Sequence, residues 1–272
     1  MMNNMRIGWL ADKQDGIVGG AELSTMALRR AAPDGIEIVL MQPGRVAYAD
    51  AYIVSNCKTY DMNIVKHLQH KPVIKVVRDL WIAGDPFLRQ WLLANSDLCV
   101  FTSRFHRENF TFKVDSPVAF CPPPVDLERF KRPQTNLASR SGVIWLGQMT
   151  NPHKGVAEAV AWARENQTRV DFYGDGWCNQ HISGRWAKYL GWADYDKVPT
   201  LLASYEKFLF LPRWPEPCGR TVIEAWAAGC ELIVNDKVGA MEWIVQEPNE
   251  LTNAENRFWR IVGDALNAVP AA

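Results

Sequence analysis

A chain of 272 residues is long enough to bury a sizeable core and has room for one large domain or two small ones. Lys and Arg number 30 against 30 Asp and Glu, so no global field draws the protein to nucleic acid or to anionic lipid. No run approaches the roughly 20 apolar residues that span a bilayer, and the opening MMNNMRIGWLADKQDG lacks the apolar centre of a signal peptide, so a soluble cytoplasmic protein is expected. The six cysteines are scattered without a C-x-x-C pair and read as free thiols in a reducing compartment.

In chain order, residues 6–10 read as a first strand, followed by a loop over 11–19 and a helix that starts near Gly20. The Gly19-Gly20 pair either lets backbone approach a ligand at that helix N-terminus or is a plain flexible turn. Short apolar runs at 36–41, 51–55, 73–77, 98–102 and 118–120 alternate with helical segments near 63–69, 86–95 and 104–112. This alternation predicts an open parallel sheet with helices on both faces. Its strand carboxyl ends carry Asp12, Asn56, Arg78-Asp79 and Thr102-Ser103. Residues 131–141, KRPQTNLASRS, are polar and proline-bearing, as a hinge is.

A second series begins with a strand at 143–146, a loop GQMTNPHKG and a helix at 156–165. A strand at 170–173, the turn Gly174-Asp175-Gly176, a short strand at 189–192 and a helix at 194–204 follow. The last helix, 254–268, is amphipathic, with Phe258, Trp259, Ile261, Val262 and Leu266 on its apolar side. No G-x-G-x-x-G follows a strand, which counts against a dinucleotide-dependent oxidoreductase.

The stretch 209–236, LFLPRWPEPCGRTVIEAWAAGCELIVND, carries the chemistry. Apolar runs at 208–211 and 231–234 read as buried parallel strands around a helix at 221–228 that Gly219 opens. Two carboxylates mark it, Glu216 in the loop and Glu224 one helical turn in, with seven residues between them. The helix start, occupied by Cys218, Gly219, Arg220 and Thr221, favours an anion, while the carboxylates favour hydroxyls. A phosphate attached to sugars meets both demands.

This Glu, seven residues, Glu pattern, with Pro-x-Gly after the first and Glu-Ala-x-Ala-x-Gly at the second, resembles the donor site of retaining, family-4-like glycosyltransferases of the GT-B fold. The resemblance implies two Rossmann-like doubly wound parallel-sheet domains facing a cleft, with a C-terminal helix crossing back. The expected ranges are 1–132 for an acceptor-side domain, 142–253 for a donor domain and 254–272 for the returning helix. It places Glu216 against the donor sugar, Glu224 on the nucleotide ribose, and the amides near Cys218, Gly219, Arg220 and Thr221 on the diphosphate. Gly19 and Gly20 match a segment facing the donor phosphates, Gly174 a turn near the nucleotide, and Lys154 a cation that grips the diphosphate.

Two departures stand out. Gln148 occupies a position where the family has Arg, with Arg213 or Arg220 as alternative replacements, and Arg78 occupies the position of a His that faces the donor sugar. Asp79 is then either the acceptor-side base or sugar ligand, or the cap of a turn. Catalytic roles fall to Glu216, Asp79 and Lys154, with no metal and no cofactor beyond a UDP- or GDP-sugar donor. The acceptor is a saccharide, a lipid-linked molecule or a DNA base, and the protein a monomer or homodimer. Alternatives are a non-catalytic nucleotide-sugar binding module and a phage-type DNA-base glycosyltransferase, for which Arg104, His106, Arg107 and Lys113 are the basic candidates.

Overall fold

The computed structural model of the protein describes residues 4–12, 19–55, 57–80, 84–131, 140–176, 182 and 184–268. It divides into two compact units, Met1–Pro124 with Asn249–Ala272, and Val125–Pro248. The first unit holds β1 (Met5–Leu10), α1 (Gly20–Arg30), β2 (Ile36–Met41), β3 (Ala51–Val54), α2 (Val65–Leu68), β4 (Val73–Val76), α3 (Pro86–Asn95), β5 (Leu98–Phe101), α4 (Arg104–Glu108) and β6 (Val118–Phe120). All neighbouring strands run parallel in the order β2-β1-β3-β4-β5-β6, so the winding reverses between β1 and β3.

Three of the four interior strands, AYIV, VIKV and LCVF, are buried at every position, as expected where helices cover both faces of a sheet. Lys75, the polar residue among them, is 2% exposed, and its ammonium donates to the carbonyls of Val54 and Ser55. Those carbonyls compensate its lost hydration. Asp85 sets the start of α3, its carboxylate accepting from the Phe87 and Leu88 amides at 2.8 and 3.2 Å ahead of Pro86. The helix expected over 104–112 stops at Glu108. There the Asn109 side chain donates to the Phe105 carbonyl at 2.9 Å, and the chain turns inward to bury Phe110 against Phe101, ring centroids 5.2 Å apart.

The second unit holds α5 (Leu127–Phe130), β7 (Val143–Gly147), α6 (Val156–Glu165), β8 (Val170–Gly174), β9 (Ala187–Gly191), α7 (Val198–Ser204), β10 (Lys207–Phe210), α8 (Arg220–Ala227), β11 (Glu231–Val234) and α9 (Ala240–Gln246). Its parallel order is β11-β10-β7-β8-β9, which reverses between β7 and β10. In such a sheet a ligand crevice opens outside the carboxyl ends of the two strands at the reversal. The core beneath packs Trp145, Phe172 and Leu209 against Ala159 and Ala163 of α6.

Most of the expected hinge, residues 132–139, lies outside the described residues. Arg140, at its far end, is tied to the second unit by hydrogen bonds to the carbonyls of Tyr205 at 2.6 Å, Gly229 at 2.7 Å and Leu202 at 3.2 Å. At the near end, Arg129 of α5 donates to the Tyr195 carbonyl at 3.2 Å and pairs with Asp196 at 2.8 Å.

After α10 (Pro248–Thr252) the chain returns to the first unit as α11 (Ala254–Ala268). Phe258, Trp259, Val262 and Leu266 pack with Ile7, Trp9, Ile53 and Ile74 of the first sheet. Burying each such side chain is worth about 1.5–3 kcal/mol, which is what holds this helix so far from its neighbours in sequence. The Trp259 indole donates to the Leu28 carbonyl of α1 at 2.8 Å, and Arg257 donates to the Phe120 carbonyl at 2.9 Å. Among the described residues no helix is long and apolar enough to cross a membrane.

Candidate active site

The site is built on the loops that leave β7 and β10, the strands at the reversal of the second sheet. Gly155, between a 3-10 turn at Pro152–Lys154 and α6, has φ +76°, and a Cβ there would stand 1.8 Å from the Leu211 carbonyl oxygen. Only glycine lets the two loops touch, and that contact brings Lys154 beside the end of β10. The Arg213 amide donates to the His153 carbonyl at 3.0 Å, joining the loops again. Side chains after β11 fix the same segment, Asn235 donating to the Pro212 carbonyl and Lys237 to the Arg213 carbonyl, each at 3.0 Å. The exposed Trp214 indole rests on the His153 ring, centroids 4.7 Å apart.

Glu216 is held by its backbone. Its amide donates to the Lys237 carbonyl at 2.7 Å and its carbonyl accepts from Gly239 at 2.9 Å, while the Ala240 amide donates to the Cys218 carbonyl at 2.6 Å. Anchored this way, the Glu216 carboxylate meets the Lys154 ammonium at 2.6 Å, the two side chains 16% and 28% exposed. Two residues 62 positions apart thus form one partly buried ion pair. Gly219 follows at φ +77° and ψ 68° and opens α8 without any side-chain cap. The first-turn amides of α8 therefore form an anion-favouring pole beside the pair.

Glu224, one turn into α8, is 2% exposed. Its Oε1 accepts from the Tyr195 hydroxyl at 3.0 Å and from Arg220 Nε at 3.1 Å, and Arg220 also donates to the Tyr195 oxygen at 3.1 Å. Burial lifts the Glu224 carboxyl above its usual value, against the charge of Arg220 and the hydrogen bond from Tyr195. Burial first, and then the Glu224 charge, raise the Tyr195 phenol. Arg220 is thus engaged with Glu224, whereas Arg213 is 64% exposed and reaches Glu158 at 3.5 Å. Of the two proposed replacements for the missing arginine, Arg213 is the less committed. Gln148 itself is exposed directly after β7.

Gly174 and its neighbours set the adjacent loop. A Cβ at Gly174 would stand 2.1 Å from the Gly147 carbonyl, so the ends of β7 and β8 meet only through glycine. Asp175 then accepts from the amides of Met149 and Thr150 and from the Thr150 hydroxyl, fixing the turn that carries Gln148. The Tyr189 hydroxyl donates to the Gly174 carbonyl at 3.0 Å and lies 2.6 Å from where a Gly176 Cβ would be.

The remaining sequence candidates belong to the first unit. Gly19 caps α1 without a side-chain bond, and Gly20 is its first residue. Asp79 is exposed just past β4, and Arg78 reaches the Thr25 hydroxyl of α1 at 3.5 Å. Of the four basic residues considered for DNA, Arg104 and Lys113 are exposed and Arg107 is partly buried. His106 is fully buried, and desolvation holds its imidazole down to about 4. Arg104 and Arg107 lie over the rings of Phe120 and Phe101, and Lys113 pairs with Asp115 at 2.8 Å.

Sequence reasoning did not single out Tyr195 or Arg129, although Arg129 also lies over the Tyr195 ring at 4.7 Å. A signal was present in Pro199, which sits in the first turn of α7 and lacks the N–H that would continue a helix back through Tyr195. Among the described residues, Cys57, Cys99, Cys121, Cys218 and Cys230 are free thiols; Cys218 is buried at the site and Cys178 lies outside the described residues.

Two parallel α/β sheets in tandem, the second with its loop site at the β7/β10 reversal and the last helix back on the first, define the GT-B fold. Solved structures of glycosyltransferases share it. Anabaena HepE in complex with UDP and glucose superposes with a TM-score of 0.68 at 15% identity, covering 97% of this chain and 100% of that one. Sucrose-phosphate synthase from Thermosynechococcus elongatus gives a TM-score of 0.70 at 14% identity over 96% and 90% of the two chains. AviGT4, a glycosyltransferase of avilamycin A biosynthesis, gives 0.63 at 17% identity over 98% and 89%. No protein-family model and no curated protein matches the chain.

Proposed function

We propose that the protein is a retaining glycosyltransferase that moves a sugar from a nucleotide diphosphate donor to an acceptor hydroxyl. The observation that carries this reading is the Lys154–Glu216 pair, 2.6 Å apart, beside the uncapped start of α8 at the reversal of the second sheet. A diphosphate needs fixed positive charge where its oxygens lose the sugar, and a sugar needs an oriented carboxylate. Both are present within one pair. The complexes of HepE with UDP and glucose and with UDP-glucose support a UDP-sugar as the first donor to test.

In this reading Lys154 and the α8 amides near Gly219, Arg220 and Thr221 bind the diphosphate and stabilise the charge that grows on it as the bond from the anomeric carbon to phosphate oxygen breaks. Glu216 accepts a hydrogen bond from a sugar hydroxyl and offsets positive charge developing on the ring. Glu224 binds ribose hydroxyls. The rigid Gly174–Asp175 turn holds Gln148 near the nucleotide, and Asp79 of the first unit serves the acceptor. The reaction needs no metal in this scheme, because Lys154 and the helix pole supply the charge.

A second reading, a nucleotide-sugar binding module without turnover, draws on Gln148, an exposed neutral side chain at the position that carries Arg in the family the sequence resembles. A thermal-shift series with UDP, GDP, ADP and their sugars, followed by donor turnover, tests both. A ligand at a hundred times its dissociation constant should stabilise the fold by about 2.7 kcal/mol. Stabilisation by one nucleotide together with sugar release supports the transferase, and stabilisation without release supports the module. No shift with any of them removes both.

A further inference from the structure

We propose that Tyr195 is a positioning residue of the nucleotide subsite, holding the Glu224 carboxylate in place for a polyhydroxylated ligand. The inference rests on the reading of Glu224 as the ribose ligand and extends it to a residue that would touch no substrate. A carboxylate on a helix, left to itself, samples several rotamers and loses most of that freedom only when its oxygens are bonded. Here the constraint comes from outside α8. The Tyr195 hydroxyl donates to Glu224 Oε1 at 3.0 Å and accepts from Arg220 at 3.1 Å, closing a three-membered network around one carboxylate oxygen.

Tyr195 is in turn fixed from a third element. Arg129 of α5 lies over its ring at 4.7 Å and donates to its carbonyl at 3.2 Å, while Phe130 packs beside the ring with centroids 6.3 Å apart. The phenol therefore joins α5, the turn before α7 and α8 into one strut. Its second effect is on charge. Glu224 is almost wholly buried, and burial favours its neutral form; the groups that face it, Arg220 on α8, Tyr195 before α7 and Arg129 on α5, all favour the carboxylate. An ionised Glu224 accepts two ribose hydroxyls better than a neutral one does.

The test compares wild type with Tyr195→Phe, which keeps the ring under Arg129 and removes only the hydroxyl. Calorimetry would measure the affinity of UDP and of 2′,3′-dideoxy-UDP, with GDP and its dideoxy analogue in parallel. Wild type should prefer the ribonucleotide. The variant should bind it about fivefold to tenfold more weakly, a fraction of what one hydrogen bond to a charged group is worth because the lost bond acts only through Glu224, with the dideoxy nucleotide unchanged within about twofold. Its affinity should also begin to fall at higher pH on the acid side, because one of the interactions that lower the Glu224 carboxyl is gone. Equal weakening of both nucleotides, or no weakening with an unmoved acid limb, overturns the positioning role while leaving the ribose reading intact. A wild type that does not distinguish the two nucleotides overturns the ribose reading and this inference with it.

Discussion

Replacing Lys154 and Glu216 singly and together measures what the ion pair does when the donor arrives. With side-chain exposures of 28% and 16%, the pair lies between exposed salt bridges, worth about 0–1 kcal/mol, and fully buried ones, where removing one partner costs about 3–5 kcal/mol. A coupling of about 1–2 kcal/mol in the empty protein follows. A diphosphate competes with Glu216 for the ammonium, so binding exchanges one carboxylate partner for phosphate oxygens. Lys154→Met removes a charge-assisted hydrogen bond worth about 1.5–3 kcal/mol, a loss of about tenfold or more in UDP affinity. It also leaves the Glu216 carboxylate unneutralised beside the diphosphate.

Adding Glu216→Gln should relieve that repulsion. The double variant is therefore expected to bind UDP about fivefold to tenfold more tightly than Lys154→Met alone, while Glu216→Gln alone binds UDP at least as well as wild type. Calorimetric titration with UDP and with uridine reads this directly, and uridine affinity should stay constant across all four proteins. Two penalties that simply add, or equal losses for UDP and uridine, would refute the idea that the pair and the diphosphate share one site.

Two structural predictions concern how the site is held. Gly155→Ala would place a methyl 1.8 Å from the Leu211 carbonyl at φ +76°, whereas Gly142→Ala has a similar φ of +83° but meets nothing nearer than 3.7 Å. Denaturant unfolding should show a loss of about 1 kcal/mol for Gly142→Ala, from backbone strain alone, and a clearly larger loss for Gly155→Ala; equal losses would mean that the loops do not depend on that contact. Arg140→Ala strips the carbonyls of Tyr205, Gly229 and Leu202 of a shared donor and should cost about 2 kcal/mol or more in the same assay. A change within about 0.5 kcal/mol would mean that Arg140 does not anchor the chain at this point.

Local features of the chain were legible because each carried its own signal. The runs at Ile36–Met41, Val118–Phe120 and Glu231–Val234 begin and end where apolar residues give way to turn formers, and the strands have those bounds. Pro86–Asn95 and Ala254–Ala268 likewise have the expected limits, the first because Asp85 caps it and Pro86 suits a first turn. The helix expected over 194–204 instead starts as a 3-10 turn at Tyr195–Lys197 and becomes α-helical from Val198, with Pro199 in its first turn.

The candidate site was legible as residue types and loops but not as partnerships. Glu216 and Glu224 stand out by spacing, yet that Glu216 meets Lys154 depends on β10 lying next to β7, and strand order is not written in either segment. Tyr195 stayed hidden for the same reason, since its partner Glu224 is 29 positions away. The burial of His106 was not legible either, because it follows from the turn at Asn109 that brings Phe110 beneath it, ring centroids 6.0 Å apart.

Proton NMR of the sugar released or transferred from UDP-glucose, or from GDP-mannose if only guanine nucleotides bind, tests the proposed chemistry most directly. From an α-linked donor the first product should be the α-anomer, and Glu216→Gln should slow its formation by about a hundredfold while UDP still binds, as for the loss of one oriented electrostatic partner. Formation of the β-anomer first, or turnover that Glu216→Gln leaves untouched, would contradict it.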